Sequence, residues 1–105
     1  MDKILLNLEK ILEQRKTASS DKSYVSSLYT EGTNKILEKI SEESEEVIMA
    51  AKNEGNAEII HEIADLWFHT LVLLRHKNIS VEEIESELAR RFGISGHKEK
   101  ASRNK

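Results

Sequence analysis

Cysteine and proline are both absent from this 105-residue sequence, glycine occurs four times, and one tryptophan, two tyrosines and two phenylalanines are the whole aromatic content. Without cysteine there is neither a disulfide framework nor a thiolate zinc site. Without proline nothing forces a break inside a helix, and every helix end must be written by caps and glycines. No apolar run nears the roughly 20 residues that span a bilayer, and the first residues lack the continuous apolar stretch of a secretory leader. The expectation is a soluble cytoplasmic chain forming one domain over residues 1–105. A chain this short buries only about 60–70% of its unfolded surface, so a partner subunit would help it.

Charge, in contrast, is plentiful, and it is unevenly spread. The net charge of −3 conceals a central segment, residues 42–65, in which eight acids (Glu42, Glu43, Glu45, Glu46, Glu54, Glu58, Glu62 and Asp65) face one base, Lys52. The remainder of the chain is mildly basic. An acidic centre argues against nucleic-acid binding, which requires a basic stripe, and suits a metal that in turn binds phosphate.

Apolar spacing gives an all-α chain of four to five helices. Ile4, Leu5, Leu8, Ile11 and Leu12 mark a first helix over 2–16. The serine-rich stretch 17–29 reads as a loop with one short helical turn, ended by Gly32. A second helix runs from about Thr33 to Glu54, with Gly55 as its C-cap, and Asn56 caps a third from about Ala57 to Lys77. So short a connection makes these two an antiparallel hairpin. Asn78 closes the third helix, and Ser80-Val81-Glu82-Glu83 has the capping-box spacing for a fourth, to about Phe92. Gly93 and Gly96 then precede a basic tail, 97–105, expected to be flexible.

Helical angles locate the acids. With Ile36 at 0° and about 100° per residue, Ile36, Ile40, Val47 and Ala51 form one apolar stripe. Glu38 and Glu45 lie on the far side, where glutamates are simply solvated. Glu43 falls near 340°, at the stripe's edge, with Glu46 near 280° and Glu42 near 240°. A carboxylate beside a core with a second one a turn away calls for a positive partner. The third helix is apolar over well over half its circumference, Trp67 and Phe68 included, so it should be buried on most sides; Met49 of the second helix also reads as core. Its narrow polar strip carries Glu58, Glu62, Asp65, His69 and His76. Glu62 and Asp65 sit about as far beyond the turn as Glu43 and Glu46 lie before it, so the two pairs stand at similar height. Four carboxylates in one pocket suit hard divalent cations, Mg²⁺ above all, with Mn²⁺ a possible substitute; two unrelated solvated faces would give the same spacing.

Glu42-Glu43-Ser44-Glu45-Glu46 reads as EExxE and Glu62-Ile63-Ala64-Asp65 as ExxD, and the two on one hairpin resemble the all-α nucleoside-triphosphate pyrophosphohydrolases of the MazG-like superfamily. Ser23-Tyr24, the segment Lys35 to Glu43, Ala50-Ala51-Lys52, His61 to Leu66, Leu71 to Leu74 and the closing Glu99 to Arg103 look like one branch, the phosphoribosyl-ATP pyrophosphohydrolase family. The resemblance covers nearly the whole chain. It implies Mg²⁺-dependent hydrolysis of phosphoribosyl-ATP to phosphoribosyl-AMP and pyrophosphate in histidine biosynthesis, on a bundle completed by homodimerisation. It makes Glu43, Glu46, Glu62 and Asp65 the metal ligands and Glu42 the residue that orients or deprotonates water. Lys35, Lys39, Lys52, Lys100 and Arg103 become candidates to hold phosphates.

Other readings compete. Glu58-Ile59-Ile60-His61 is an ExxH pair of the kind used by di-iron bundles, but such bundles need two pairs and only one is present. By angle His61 lies off the acidic strip, as a partly buried or dimer-facing side chain. A helical dimerisation module would explain the apolar surface but not carboxylates beside a core. A house-cleaning hydrolase of dUTP, dCTP or damaged nucleotides would carry the same metal site.

Overall fold

The computed structural model describes residues 2–19 and 23–92. Among them are five α-helices and one 3-10 turn: α1 (Asp2–Gln14), the 3-10 turn Arg15–Thr17, α2 (Tyr24–Glu31), α3 (Thr33–Asn53), α4 (Asn56–His76) and α5 (Val81–Phe92). No strand occurs among the described residues, and the all-α expectation holds. The tail 97–105, with Lys100 and Arg103, lies outside the described residues. No described helix is long and apolar enough to cross a membrane.

The serine-rich segment departs from expectation in its second part: Tyr24–Glu31 form a helix of two turns where the sequence reads as a loop with one short helical turn. Ser23 caps it, its hydroxyl oxygen accepting from the Ser26 backbone N–H at 3.2 Å. The hydroxyls inside α2 bond back to carbonyls, Ser27 to Tyr24 and Thr30 to Ser26, while Ser26 reaches the Arg15 carbonyl at 2.7 Å. Bonded backwards in this way, serine no longer competes with helical backbone, which is why its usual loop signal misleads here. Val25 and Leu28, three apart, bury the inner face.

Gly32 joins α2 to α3 at φ +96°, ψ −172°, a conformation open essentially to glycine alone. At the other end of α3 the expected cap is displaced. Glu54 closes the helix, while Gly55 sits at φ −94° as the N-cap of α4, its carbonyl accepting from Glu58 and Ile59 at 3.1 Å each. Asn56 is therefore the first helical residue and not the cap. The end of α4 follows its signal closely. Asn78 takes the left-handed conformation (φ 60°), its N–H bonds the Arg75 carbonyl, and Ile79 N–H bonds that of Leu74, the two bonds of a Schellman ending. Ser80 and Glu83 then exchange the reciprocal capping-box bonds, at 2.9 and 3.2 Å, that start α5.

The core gathers one or two residues from every helix: Leu12, Val25, Leu28, Ile36, Leu71, Val72 and Val81. Each such burial is worth about 1.5–3 kcal/mol before entropy is charged against it. Arg75 ties α1 to this end of the hairpin, donating to Glu13 at 2.9 Å and to the Ile79 carbonyl at 2.7 Å, while Glu9 accepts from the Val81 N–H at 2.8 Å. The core thus sits at the open end of the α3–α4 hairpin, and the tip, residues 51–58, is exposed throughout. Between the two lie the acids.

The third predicted helix is less enclosed than its composition suggests. On α4, Trp67 is 54% exposed and Ile60 69%, and on α3 Leu37, Ile48 and Met49 are also exposed. Trp67 and Met49 are therefore not core residues of the single chain, whereas Phe68 packs against the core. Among the described residues there are too few elements to cover both faces of so apolar a helix.

Candidate metal centre

Residues three apart on a helix share a face, so α3 presents Glu43 and Glu46 together and α4 presents Glu62 and Asp65. The antiparallel hairpin, packed along its length, brings these faces into register. Carboxylate oxygens of Glu43, Glu46 and Glu62 all lie within 4.8 Å of one another, and ligand atoms of His61, Glu62 and Asp65 form a second such group sharing Glu62.

Glu43 is the unusual member. It is only 6% exposed, and its Oε2 has no hydrogen-bond partner; Glu62 Oε1 is likewise out of solvent and unpaired. Burial pushes the Glu43 carboxyl above the ordinary 4.5, and the negative charges of Glu46 and Asp65 push it further, with His69 acting the other way. Glu62 is raised for the same first reason, burial, and then by the adjacent Glu46 carboxyl, through side-chain hydrogen bonding and charge. Carboxyls crowded and desolvated in this way disfavour their charged forms. Buried, unpaired acceptors converging on one point have the chemistry of a hard-cation site, which takes oxygen ligands and restores their charge. The residues present fit such an ion.

A second layer supports the acids. His69, 5% exposed, bonds the Asp65 carbonyl through Nδ1 at 2.9 Å. A carbonyl only accepts, so Nδ1 carries the hydrogen, and in the neutral ring Nε2 accepts from the Tyr24 hydroxyl at 2.8 Å. Tyr24, at the first position of α2, is thereby pinned edge-on against α4. Burial raises its phenol's pKa, with Lys39, Glu43, Lys35 and Asp65 the charges that act on it. Sequence reasoning placed His69 on the acidic strip without a role, and met Tyr24 only as part of a motif. The available signal was the i, i+4 spacing of Asp65 and His69.

The remaining candidates are spread out. Glu42 is exposed at the rim and accepts from Lys39 at 3.1 Å, and Lys35 pairs with Glu38 at 3.3 Å. Lys39 stands beside Tyr24 and Glu43. Lys52 is exposed in the last turn of α3, about 9 Å beyond Glu46 along the axis and on the opposite side from Glu43. His61, expected off the acidic strip as a partly buried or dimer-facing side chain, is 67% exposed in the single chain and stands 3.6 Å from Asp65 Oδ2.

Comparison with known proteins identifies the family. The sequence profile described as phosphoribosyl-ATP pyrophosphohydrolase matches residues 5–92. A protein of Vesicomyosocius okutanii named phosphoribosyl-ATP pyrophosphatase is 71% identical, over 99% of either chain. Proteins of the same name from Ruthia magnifica and Hydrogenovibrio crunogenus are 64% identical (99% of each chain) and 54% identical (97% of this chain, 94% of the relative). With a match of that extent and carboxylates converging on one hairpin, the chain belongs to the phosphoribosyl-ATP pyrophosphohydrolase family.

Proposed function

We propose that this chain hydrolyses phosphoribosyl-ATP to phosphoribosyl-AMP and pyrophosphate, a step of histidine biosynthesis, using Mg²⁺ held by Glu43, Glu46, Glu62 and Asp65. The observation that carries the substrate is the full-length likeness to relatives whose name states it. The unpaired, buried Glu43 supports the cation.

When bound, the ion neutralises phosphate charge and orients the triphosphate and water for in-line displacement. The products require the anhydride between the α- and β-phosphates to break. Water adds its oxygen to phosphorus, its proton goes to a base, and the pyrophosphate oxygen leaves with the bond's electrons. Glu42, exposed next to the buried Glu43 and outside the ligand set, accepts that proton. Lys39 and Lys35, on the α3 face toward Tyr24, attract the phosphates. Lys52 serves the phosphates only if a second subunit brings them to it.

The active form is a homodimer. Ile60 and Trp67 on α4 and Ile48 and Met49 on α3 leave apolar area that a second hairpin would cover. The deciding assay is pyrophosphate release with Mg²⁺ from phosphoribosyl-ATP beside ATP, dUTP and dCTP. Preference for phosphoribosyl-ATP supports the reading, and turnover of a plain nucleotide with none of phosphoribosyl-ATP overturns the substrate while leaving the site.

A further inference from the structure

The carboxylate cluster has a neighbour that the four-ligand reading leaves idle. His61 Nε2 stands 3.6 Å from Asp65 Oδ2, and both lie within 4.8 Å of a Glu62 oxygen. At that separation the pair is too long for a hydrogen bond. Two ligand atoms each about 2.1 Å from a tetrahedral ion stand about 3.4 Å apart, so the spacing is close to a chelate's bite. Two donors at i and i+4 on one helix face are a recurrent means of building such a bite. Beside them the hairpin supplies an acceptor already withdrawn from water: Glu62 Oε1, unpaired, with Glu43 Oε2 unpaired and nine-tenths buried behind it.

We propose that His61, Glu62 and Asp65 form a second cation position that shares Glu62 and Asp65 with the first, and whose imidazole ligand gives it a preference for Zn²⁺, Co²⁺ or Mn²⁺ over Mg²⁺. The inference rests on the metal reading of Glu43, Glu46, Glu62 and Asp65. The two positions differ in chemistry. The first is all oxygen, partly desolvated, and matches a hard ion that keeps its water. The second adds a nitrogen donor and opens to solvent through the exposed His61 ring, so it exchanges ions with the medium. Imidazole binds first-row transition ions far better than Mg²⁺, and geometry with ligand type, rather than total charge, sets that choice.

The test uses the full chain and direct binding. Mg²⁺, Zn²⁺ and Co²⁺ are titrated separately into metal-free wild type, His61→Ala, His61→Gln and Glu43→Gln, followed by calorimetry, by Co²⁺ visible absorption and by the imidazole signals in NMR. Because the ring is exposed, both His61 variants fold, which circular dichroism checks. Expected are a Zn²⁺ or Co²⁺ affinity at least about tenfold weaker in both His61 variants, loss of the imidazole shift assigned to residue 61, and a Mg²⁺ affinity unchanged by them. Equal Zn²⁺ and Co²⁺ affinities in wild type and His61→Ala overturn the proposal. A Mg²⁺ affinity that is absent from wild type, or untouched by Glu43→Gln, instead overturns the underlying metal reading and this proposal with it.

Discussion

Replacing Glu43 by glutamine should raise the stability of the cation-free protein and abolish its response to Mg²⁺. In the wild type a carboxyl only 6% exposed has an unpartnered oxygen and two like-charged neighbours, Glu46 and Asp65. An unsatisfied buried polar group costs about 1–3 kcal/mol, more when charged. The amide removes the charge and offers two N–H donors to the adjacent carboxylates, so a net gain of about 1–2 kcal/mol is expected. For a domain of this size each kcal/mol moves the melting midpoint by about 4–8 °C. Cation reverses the order: at a hundred times its Kd it stabilises the wild type by about 2.7 kcal/mol and the variant hardly at all. Melts at a single protein concentration should therefore cross, with Glu43→Gln higher in EDTA and wild type higher in Mg²⁺. The pH axis gives an independent check. Glu43 and Glu62 are held above 4.5 in the fold, so over the window from 4.5 up to their raised values the folded chain keeps protons that the unfolded chain has released. Cation-free stability must fall as pH rises through that window, and the glutamine variant should fall less. A variant that melts lower in EDTA, or that gains as much from Mg²⁺ as wild type, refutes the reasoning.

Gly32→Ala meets nothing within 4 Å, so its whole cost is backbone: forcing an L-residue to φ +96° should destabilise by about 1–3 kcal/mol, read by urea titration, with Mg²⁺ affinity kept. Tyr24→Phe leaves His69 Nε2 buried without its partner and should cost about 1–3 kcal/mol, measured in the same way. Trp67→Glu places a charge in the exposed apolar face of α4 and should shift sedimentation from dimer to monomer; an unchanged sedimentation coefficient locates the interface elsewhere. Glu87, held down to about 2 by hydrogen bonds from Arg90 and Arg91, contributes stability that is present above 4.5 and lost as pH falls toward 2; an NMR titration of its carboxyl should find that midpoint.

What the sequence made legible is the hairpin and its acids. The 3.6-residue period placed Glu43 against the core, and antiparallel arithmetic from Gly55 set Glu62 and Asp65 at its height. Both conclusions use only local geometry. The end of α4 and the start of α5 were equally readable, because Asn78, Ser80 and Glu83 act on backbone within a few residues. Two kinds of feature escaped. The hydroxyls of α2 carry a loop signal that reverses once each finds a carbonyl, a tertiary circumstance for Ser26 and Arg15. The Tyr24–His69 bond spans 45 residues and has no periodicity to betray it. Trp67 and Met49 were misplaced because composition reports that a face must be covered, not whether the same chain covers it.

The bare tip of the hairpin has a further consequence. Residues 51–58 are exposed throughout, and the acids stand between that tip and the packed end at Ile36 and Val72. Opening of the molecule should therefore begin at Gly55 and run inward, with the repelling carboxylates as the first barrier or the first aid to it. Amide exchange along α3 and α4 would rise in a gradient from Ile40 toward Asn53 in the cation-free chain, and a bound ion would act as a rivet, moving the point where protection begins outward past Glu46. The site is then also the place where the length of the hairpin that stays closed is decided.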